Sequence, residues 1–336
     1  MVVDKANTPA LEEGTRIGNR FRILKSLGKG GLGTVYLAED RGLRREVALK
    51  FRAVSKNASD DTLERHRDRL RRGVQTAQKI SHPRICRIYD FHDIDGYEFV
   101  AMELVKGPSL SEVIRDAAGP LDPSLISAVA LDLCDGLQAI HEQGFVHQDI
   151  KPSNLLFDDE GRIKITDFDI VGSRWRGLTM QYAAPEQLRA VSDPDRSEHE
   201  APTAAGDVFS VGCVLYEAAT QHRAFPGGSL GAHEPRDPTF YAPDLPQRLI
   251  RAIGACLQWD PDARPQSARE LRRILEADPE GERPPLEAGT VLGGRFAIEK
   301  RLGEGNSGVV FRARDRGLGE NVALKFWNPD QLVTDP

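Results

Sequence analysis

The chain has 336 residues, 40% hydrophobic and 29% charged, the composition of an ordinary globular protein. Its 45 Lys and Arg against 51 Asp and Glu give a net charge of −6, which argues against a constitutive nucleic-acid binder, because phosphate contacts need a basic excess. The four cysteines, Cys86, Cys134, Cys213 and Cys256, are scattered without a C-x-x-C pair, which speaks against structural zinc and fits reduced thiols in the cytoplasm.

The first 13 residues, MVVDKANTPALEE, have no apolar h-region and read as a tail, not a signal peptide. From Arg20 to Phe51, the segments FRILKSL, TVYLA and EVALKF alternate or are rich in β-branched and aromatic residues, and read as strands. Between the first two lie Gly28, Gly30 and Gly33 in GKGGLGTV. Without Cβ atoms, a loop of this kind lets backbone N–H groups approach phosphate oxygens. Alone it would serve equally as a hairpin turn. Lys50, one strand later in VALK, is placed to reach phosphates beneath the loop. The glycines join strand to strand, which excludes a dinucleotide-binding βαβ unit. The basic run Arg65–Arg72 reads as the solvated face of a helix.

Beyond Ala118 the pattern turns helical. Apolar residues at 125, 126, 129, 130, 133, 137 and 140 keep a period near 3.6. Asp132 interrupts this run and Glu217 interrupts the one over 208–219, so neither reads as a membrane span. There follow HQDIKPSNLL at 147–156, ITDFD at 165–169, APE at 184–186 and DVFSVG at 207–212. An amphipathic helix closes near Leu271–Glu276. The next residues, ADPEGERPPLEAG, carry adjacent prolines, two glycines and four acids, and read as a linker over 278–286.

Past the linker the opening of the chain recurs. Glu12–Phe51 aligns with Glu287–Phe326 at a constant offset of 275, without a gap and with 23 identities in 40 positions. A solenoid repeat runs roughly 20–50 residues, so this period is that of a whole domain. Length alone, at roughly 150 residues per domain, suggests two units. The repeat predicts instead one domain over 14–277 and the truncated opening of a second over 287–336, with a degenerate natural tail as the alternative.

The glycine loop, the strand lysine and the four later motifs, in this order and spacing, resemble the protein kinases over residues 14–277. They look most like bacterial Ser/Thr kinases of eukaryotic type. The resemblance implies an α+β, bilobal fold. Its N-lobe (14–105) would hold a five-stranded antiparallel sheet and one helix, helix C, and its C-lobe (106–277) would be mostly helical. It implies ATP and Mg²⁺ as cofactors and a protein Ser or Thr hydroxyl as acceptor. Phosphoryl transfer is mostly positioning and charge neutralisation. By this resemblance Gly28, Gly30 and Gly33 cover the triphosphate and Lys50 neutralises its α and β oxygens. Asp149 accepts or orients the substrate hydroxyl proton, Lys151 stabilises the γ-phosphoryl, and Thr179 ties Asp149 to Lys151. Asn154 and Asp167 hold Mg²⁺. Leu27, Val35 and Ala48 roof the adenine and Leu156 floors it. Met102 is the gatekeeper, with Glu103 and Val105 offering hinge backbone groups. Glu186 and Arg264 correspond to a buried ion pair, Asp207 to a brace of the catalytic loop, and His147 to a packed core histidine.

Three positions depart from the family pattern. The helix-C glutamate that pairs with the strand lysine falls, counting back from His82, on Gly73. Asp68, five residues earlier, is about 140° around the helix and is no simple substitute. Asp-Phe-Gly reads Asp167-Phe168-Asp169, and Gln148 replaces the arginine that reads a phosphorylated activation loop. With Ser173 and Thr179 the only hydroxyls in that short loop before Tyr182, control by loop phosphorylation is not expected. Two functions stay open. One is an active Ser/Thr kinase, with Asp169 a candidate for the missing carboxylate. The other is a pseudokinase that regulates a second kinase domain in the same longer chain. The first is favoured, because every group taking part in transfer is present. A protein substrate is expected, in the cytoplasm, with no nucleic acid and no membrane span.

Overall fold

In the computed structural model the period-two segments after Arg20 fold as strands. The structure describes residues 10–30, 33–52, 60–167, 179–193, 201–229, 235–277, 288–292, 296–305, 308–316 and 319–327. The chain divides into two compact units, Met1–Ala277 and Asp278–Pro336.

The first unit opens with β1 (Arg16–Ile17), β2 (Phe21–Gly30), β3 (Gly33–Asp40) and β4 (Arg45–Arg52). Helix α1 (Asp60–Ala77) follows, then β5 (Ile88–Ile94) and β6 (Tyr97–Met102). They form one antiparallel sheet of order β1-β2-β3-β4-β6-β5. This is one strand more than the five expected, because Arg16 and Ile17 pair with Arg22 and Phe21. Alternation sends successive side chains to opposite faces. On β4, Val47, Leu49 and Phe51 enter one core with Phe21, Ile23 and Phe99, while Ala48 packs on the other face with Val74 and Ala77 of α1. Lys50, two residues from Ala48, shares the α1 face. The sheet curls until Phe21 of β2 meets His92 of β5, ring centroids 5.0 Å apart, although three strands separate them in sheet order.

The rest of the unit is mostly helical: α2 (Leu110–Asp116), α3 (Pro123–Glu142), α4 (Pro185–Ser192), α5 (Ala204–Thr220), α6 (Gln247–Cys256) and α7 (Ala268–Glu276). A two-stranded hairpin, β7 (Leu155–Phe157) and β8 (Ile163–Ile165), lies between α3 and α4. The helix starts follow from local chemistry. Ser109 and Glu112 close a capping box at α2, and Asp122 caps α3 ahead of Pro123. Of the 17 residues of α5, 15 are buried, so it is the central helix of this half. Helix α3 has the length and apolarity to cross a membrane, but its stripe of Ile126, Val129, Leu133, Leu137 and Ile140 is buried in the same core. Its hydropathy is accounted for as a core helix.

The second unit carries β9 (Val291–Leu292), β10 (Phe296–Gly305), β11 (Gly308–Asp315) and β12 (Glu320–Trp327), in the order β12-β11-β10-β9. Its register reproduces that of β2, β3 and β4 at the offset of 275. Phe296 faces Asp315 as Phe21 faces Asp40, and Gly308 faces Trp327 as Gly33 faces Arg52. Both irregularities of β2, between Ile23 and Lys25 and between Ser26 and Gly28, recur in β10 between Ile298 and Lys300 and between Arg301 and Gly303.

Candidate active site

The loop between α3 and β7 carries the residues of HQDIKPSN, and its shape is set from below. Asp207, fully buried in the first turn of α5, accepts the backbone N–H groups of His147 and Gln148, each at 2.8 Å. It also contacts His141 Nε2 at 2.8 Å. These bonds hold Gln148 at φ 70°, a left-handed conformation a non-glycine residue adopts at a cost. His147 is buried, with Nε2 3.0 Å from the Thr166 carbonyl oxygen and Nδ1 3.3 Å from the Asp149 nitrogen. A carbonyl only accepts, so the network assigns the proton to Nε2 and leaves Nδ1 to accept the Asp149 N–H.

Asp149 is the hub. Thr179 Oγ1 donates to its Oδ1 at 2.8 Å, and Lys151 Nζ donates to its Oδ2 at 2.6 Å. The same ammonium donates to Thr179 Oγ1 at 2.9 Å, closing a three-membered ring of hydrogen bonds. Asn154 Nδ2 donates to the Asp149 carbonyl at 2.8 Å and to Oδ2 at 3.2 Å, which leaves Asn154 Oδ1 with no donor among the described residues. Asp149 is thus held in one orientation by partners from its own loop and from the segment after residue 178.

Lys50 Nζ on β4 lies 2.7 Å from Oδ1 of Asp167, just beyond β8. Thr166 beside it donates both N–H and Oγ1–H to the Asn154 carbonyl, at 2.8 and 3.0 Å, which joins the end of β8 to the loop between α3 and β7. Burial opposes the charge on Asp167, but Lys50, with help from Lys151 and His147, outweighs it and holds the carboxyl below its ordinary range. Asp167 also sits at φ 57°. Gly73 lies on α1 and offers no carboxylate, while the Asp68 side chain is 61% exposed and faces Arg71. Phe168, Asp169 and Ser173 lie outside the described residues, as do Gly31 and Leu32 of the glycine loop. Among the described residues, the carboxylate that meets Lys50 is that of Asp167.

Of the residues expected at an adenine, Ala48, Met102, Val35 and Val105 pack at the β4–β6 pair. Ala48 faces Met102 in register, and both are buried, with Val35 and Val105 packed beside them. Leu27 occupies the irregularity between Ser26 and Gly28 on β2 and is 45% exposed. Gly30 faces Gly33 at the hairpin end, and Gly33 takes φ 143°. Leu156, half-buried on β7, bridges to Ser109. At the hinge, the Glu103 N–H is spent on the Arg87 carbonyl at 2.8 Å, whereas the Val105 N–H has no partner among the described residues. The chain then closes tightly, since a Cβ on Gly107 would lie 2.2 Å from the Phe157 carbonyl oxygen.

Three features have no counterpart in the sequence reading. The Glu103 side chain accepts from Lys164 Nζ at 2.9 Å and from the Arg87 N–H at 3.0 Å, so it anchors the hinge to β8. Cys86, buried behind the hinge with its thiol 3.5 Å from the Glu103 carbonyl, is pushed up to about 12 by burial and is unreactive as a thiolate. Asp132 of α3 draws in Arg162 and Arg84, and Arg84 also faces Asp158 at 3.6 Å. None of these contacts has a local signature. The expected pair of Glu186 and Arg264 is bidentate at 2.7 and 2.9 Å, and Arg264 spends its remaining donors on the carbonyls of Ala205, Gln258 and Trp259.

The family profile described as the protein kinase domain matches residues 21–274. A probable serine/threonine-protein kinase of Streptomyces coelicolor is 32% identical over 300 residues, 85% of this chain and 44% of its own length. The serine/threonine-protein kinase PrkC of Bacillus subtilis is 32% identical over 280 residues, 78% of this chain and 41% of its own. PknE of Mycobacterium tuberculosis is 31% identical over 277 residues, 80% of this chain and 48% of its own. The chain thus spans less than half the length of these relatives. Among solved structures, a point mutant of the PknI kinase domain of Mycobacterium tuberculosis superposes with a TM-score of 0.63 at 24% identity, over 80% of this chain and 98% of that one. The apo form of PpkA-294 gives 0.62 at 20% identity, over 80% and 99%. At these identities the likeness concerns the fold.

Proposed function

The chain belongs to the protein kinase family, with bacterial serine/threonine kinases as its relatives, and from that premise we propose that it transfers the γ-phosphoryl group of ATP, with Mg²⁺, to a Ser or Thr hydroxyl of a protein. The observation that carries this reading is the closed ring of Asp149, Lys151 and Thr179. A carboxylate held in one orientation beside an ammonium can take a hydroxyl proton while the ammonium faces the charge that develops on the phosphoryl oxygens. The network of Asp149, Lys151, Thr179 and Asn154 and the pairing of Lys50 with Asp167 support this reading, in which the residue lost at position 73 would only position one group.

The donor set fits a magnesium ion. Asn154 Oδ1 accepts from no donor among the described residues and Asp167 is held ionised, both hard oxygen donors. Among the described residues no group of three or more His, Cys, Asp or Glu could hold a metal ion. That suits Mg²⁺, which binds through one or two protein oxygens and completes its shell with phosphates and water. When bound it would neutralise phosphate charge.

Gln148 supports control by means other than activation-loop phosphorylation. Its side chain is neutral, and its backbone is already fixed by Asp207 without help from a phosphate. The register of β10–β12 supports the reading of 287–336 as the start of a second kinase N-lobe in a longer chain. Four buried, free cysteines suit a cytoplasmic setting. The missing helix carboxylate favours the second reading, a regulatory pseudokinase.

Incubating the full chain with Mg²⁺, labelled ATP and a mixed peptide library tests the proposal. Label on Ser and Thr peptides, absent when EDTA replaces Mg²⁺, is the expected result. Label on Tyr alone, or transfer indifferent to EDTA, would contradict it.

A further inference from the structure

At the end of the first sheet away from the glycine hairpin, an open cavity of about 970 Å³ is lined by Asn19, Arg20, Glu39, Arg41, Gly42 and Arg44. Strand β3 runs from Gly33 to Asp40, so roughly 20 Å of extended chain separates this cavity from the hairpin. The turn between β3 and β4 that forms one wall is ordered from beneath. Asp40, 2% exposed, accepts the N–H groups of Gly42 and Leu43 through Oδ1 at 3.0 and 3.2 Å. It also holds the Arg20 guanidinium in a bidentate pair at 3.0 and 2.8 Å. Glu39, the one acid in the lining, is paired with Arg22 at 3.1 Å. Arg41 and Arg44 are exposed and meet no carboxylate among the described residues. On a chain of net charge −6, this cavity therefore presents two guanidinium groups without an acidic partner.

The internal repeat supplies a comparison for this turn. At the offset of 275, Asp40, Arg41, Gly42 and Leu43 recur as Asp315, Arg316, Gly317 and Leu318, and both aspartates are buried. The next two positions change: Arg44 corresponds to Gly319 and Arg45 to Glu320. Both units put the first of these in the left-handed region, Gly319 at φ 70° and Arg44 at φ 51°. Glycine takes that conformation freely and arginine takes it at a cost. The second unit thus uses a strain-free version of the turn, while the first keeps a cation there under strain. Strain of this kind persists where a site needs the side chain. We propose that the cavity binds an acidic segment of a partner protein, with Arg41 and Arg44 as its anchors. A guanidinium pairs with a carboxylate through two parallel hydrogen bonds. A single phosphate would fill a small part of the volume, which lies at the upper end of the roughly 300–1,000 Å³ that accepts a drug-sized ligand. A few residues of extended, acidic chain match both the size and the charge. The second unit, with Gly319 and Glu320 in the turn, does not offer the same site.

Fluorescence anisotropy of a fluorescein-labelled decapeptide of alternating Asp and Glu, titrated with the full chain, tests this without nucleotide or turnover. The wild-type chain is expected to bind the peptide, and to bind it more weakly as salt rises, because exposed charges are screened. Arg44→Gly installs the residue that the repeat carries. It should weaken binding about tenfold, the worth of one charge-assisted contact. Its melting temperature should hold, because the relieved strain offsets the freedom that glycine adds to the unfolded chain. Arg41→Gln, which leaves the backbone alone, should weaken binding by a similar factor, and the double variant should bind more weakly than either. A wild-type chain that does not bind the peptide, or binding that survives both substitutions unchanged, would overturn the inference. Inorganic phosphate that displaces the peptide where chloride at the same ionic strength does not would also overturn it, in favour of a site for a single phosphate.

Discussion

Thr179 holds two partners with one hydroxyl: it donates to Asp149 and accepts from Lys151. Its backbone N–H reaches the same Asp149 oxygen at 3.2 Å and remains when the side chain is cut back. Thr179→Ala should therefore loosen the carboxylate without dispersing the loop, and lower kcat by about a hundredfold while KM for ATP holds, the size of effect a small misplacement of a reacting group produces. Thr179→Ser keeps the hydroxyl and should recover most of the rate. Steady-state kinetics on a Ser/Thr peptide separates the two variants, and equal losses would make Thr179 a packing residue. Glu186 and Arg264 act differently. Every donor of the buried guanidinium is spent, so the pair ties the segment around α4 to the loop before α7 and touches no reacting group.

At the scale of elements, the curled sheet is closed by rings packed edge-on and at a tilt. His92 on β5 lies 5.0 Å from Phe21 and 5.2 Å from Phe99, and its Nε2 is buried without a hydrogen-bond partner among the described residues. Burial pushes its pKa down, and nearby Arg20 adds to this while Asp90 and Asp40 oppose it. The folded state thus takes up the proton less readily than the unfolded chain. The stabilisation is full above the ordinary histidine pKa of about 6.5 and is lost as the pH falls below it toward the folded value. The melting temperature should drop between pH 7 and pH 5, and His92→Phe should flatten the drop. His82, also pushed down by burial, should keep some of it. A slope unchanged by His92→Phe would contradict this account. The six-strand order is only partly legible in sequence: alternation marks β2 to β4, but the two-residue β1 has no periodicity to read. Helix α3 is legible from its apolar period and the catalytic loop from its motif. The bonds that hold the site together are not, because Glu103 meets Lys164 and Lys50 meets Asp167 across 61 and 117 residues, and no local pattern encodes such pairs. A count of acids lost and gained points to Asp169 as a partner of Lys50, and that residue lies outside the described ones, while the neighbouring Asp167 meets the lysine without any local pattern announcing it.

At the scale of the whole molecule, the same strand occurs in two settings. Val47, Ala48 and Leu49 on β4 are 0%, 6% and 0% exposed, with β3 on one side and β6 on the other. Their counterparts Val322, Ala323 and Leu324 are half-buried or exposed, and among the described residues β12 is an edge strand of its sheet. An edge strand leaves alternate backbone N–H groups open to solvent. Hydrogen exchange followed by mass spectrometry should therefore find peptide 320–327 exchanging orders of magnitude faster than 45–52, as low local stability requires. Equal protection would mean that another strand covers β12. The central claim concerns the first unit: the groups proposed to take part in transfer suffice for it although position 73 holds no carboxylate. Single-turnover phosphoryl transfer from ATP by the full chain, beside Asp149→Asn, tests it most directly. Wild-type transfer that falls by about 10²–10⁴ in the variant is the predicted result, the contribution of a positioned general base. Equal rates in the two proteins would contradict it and leave the chain a pseudokinase.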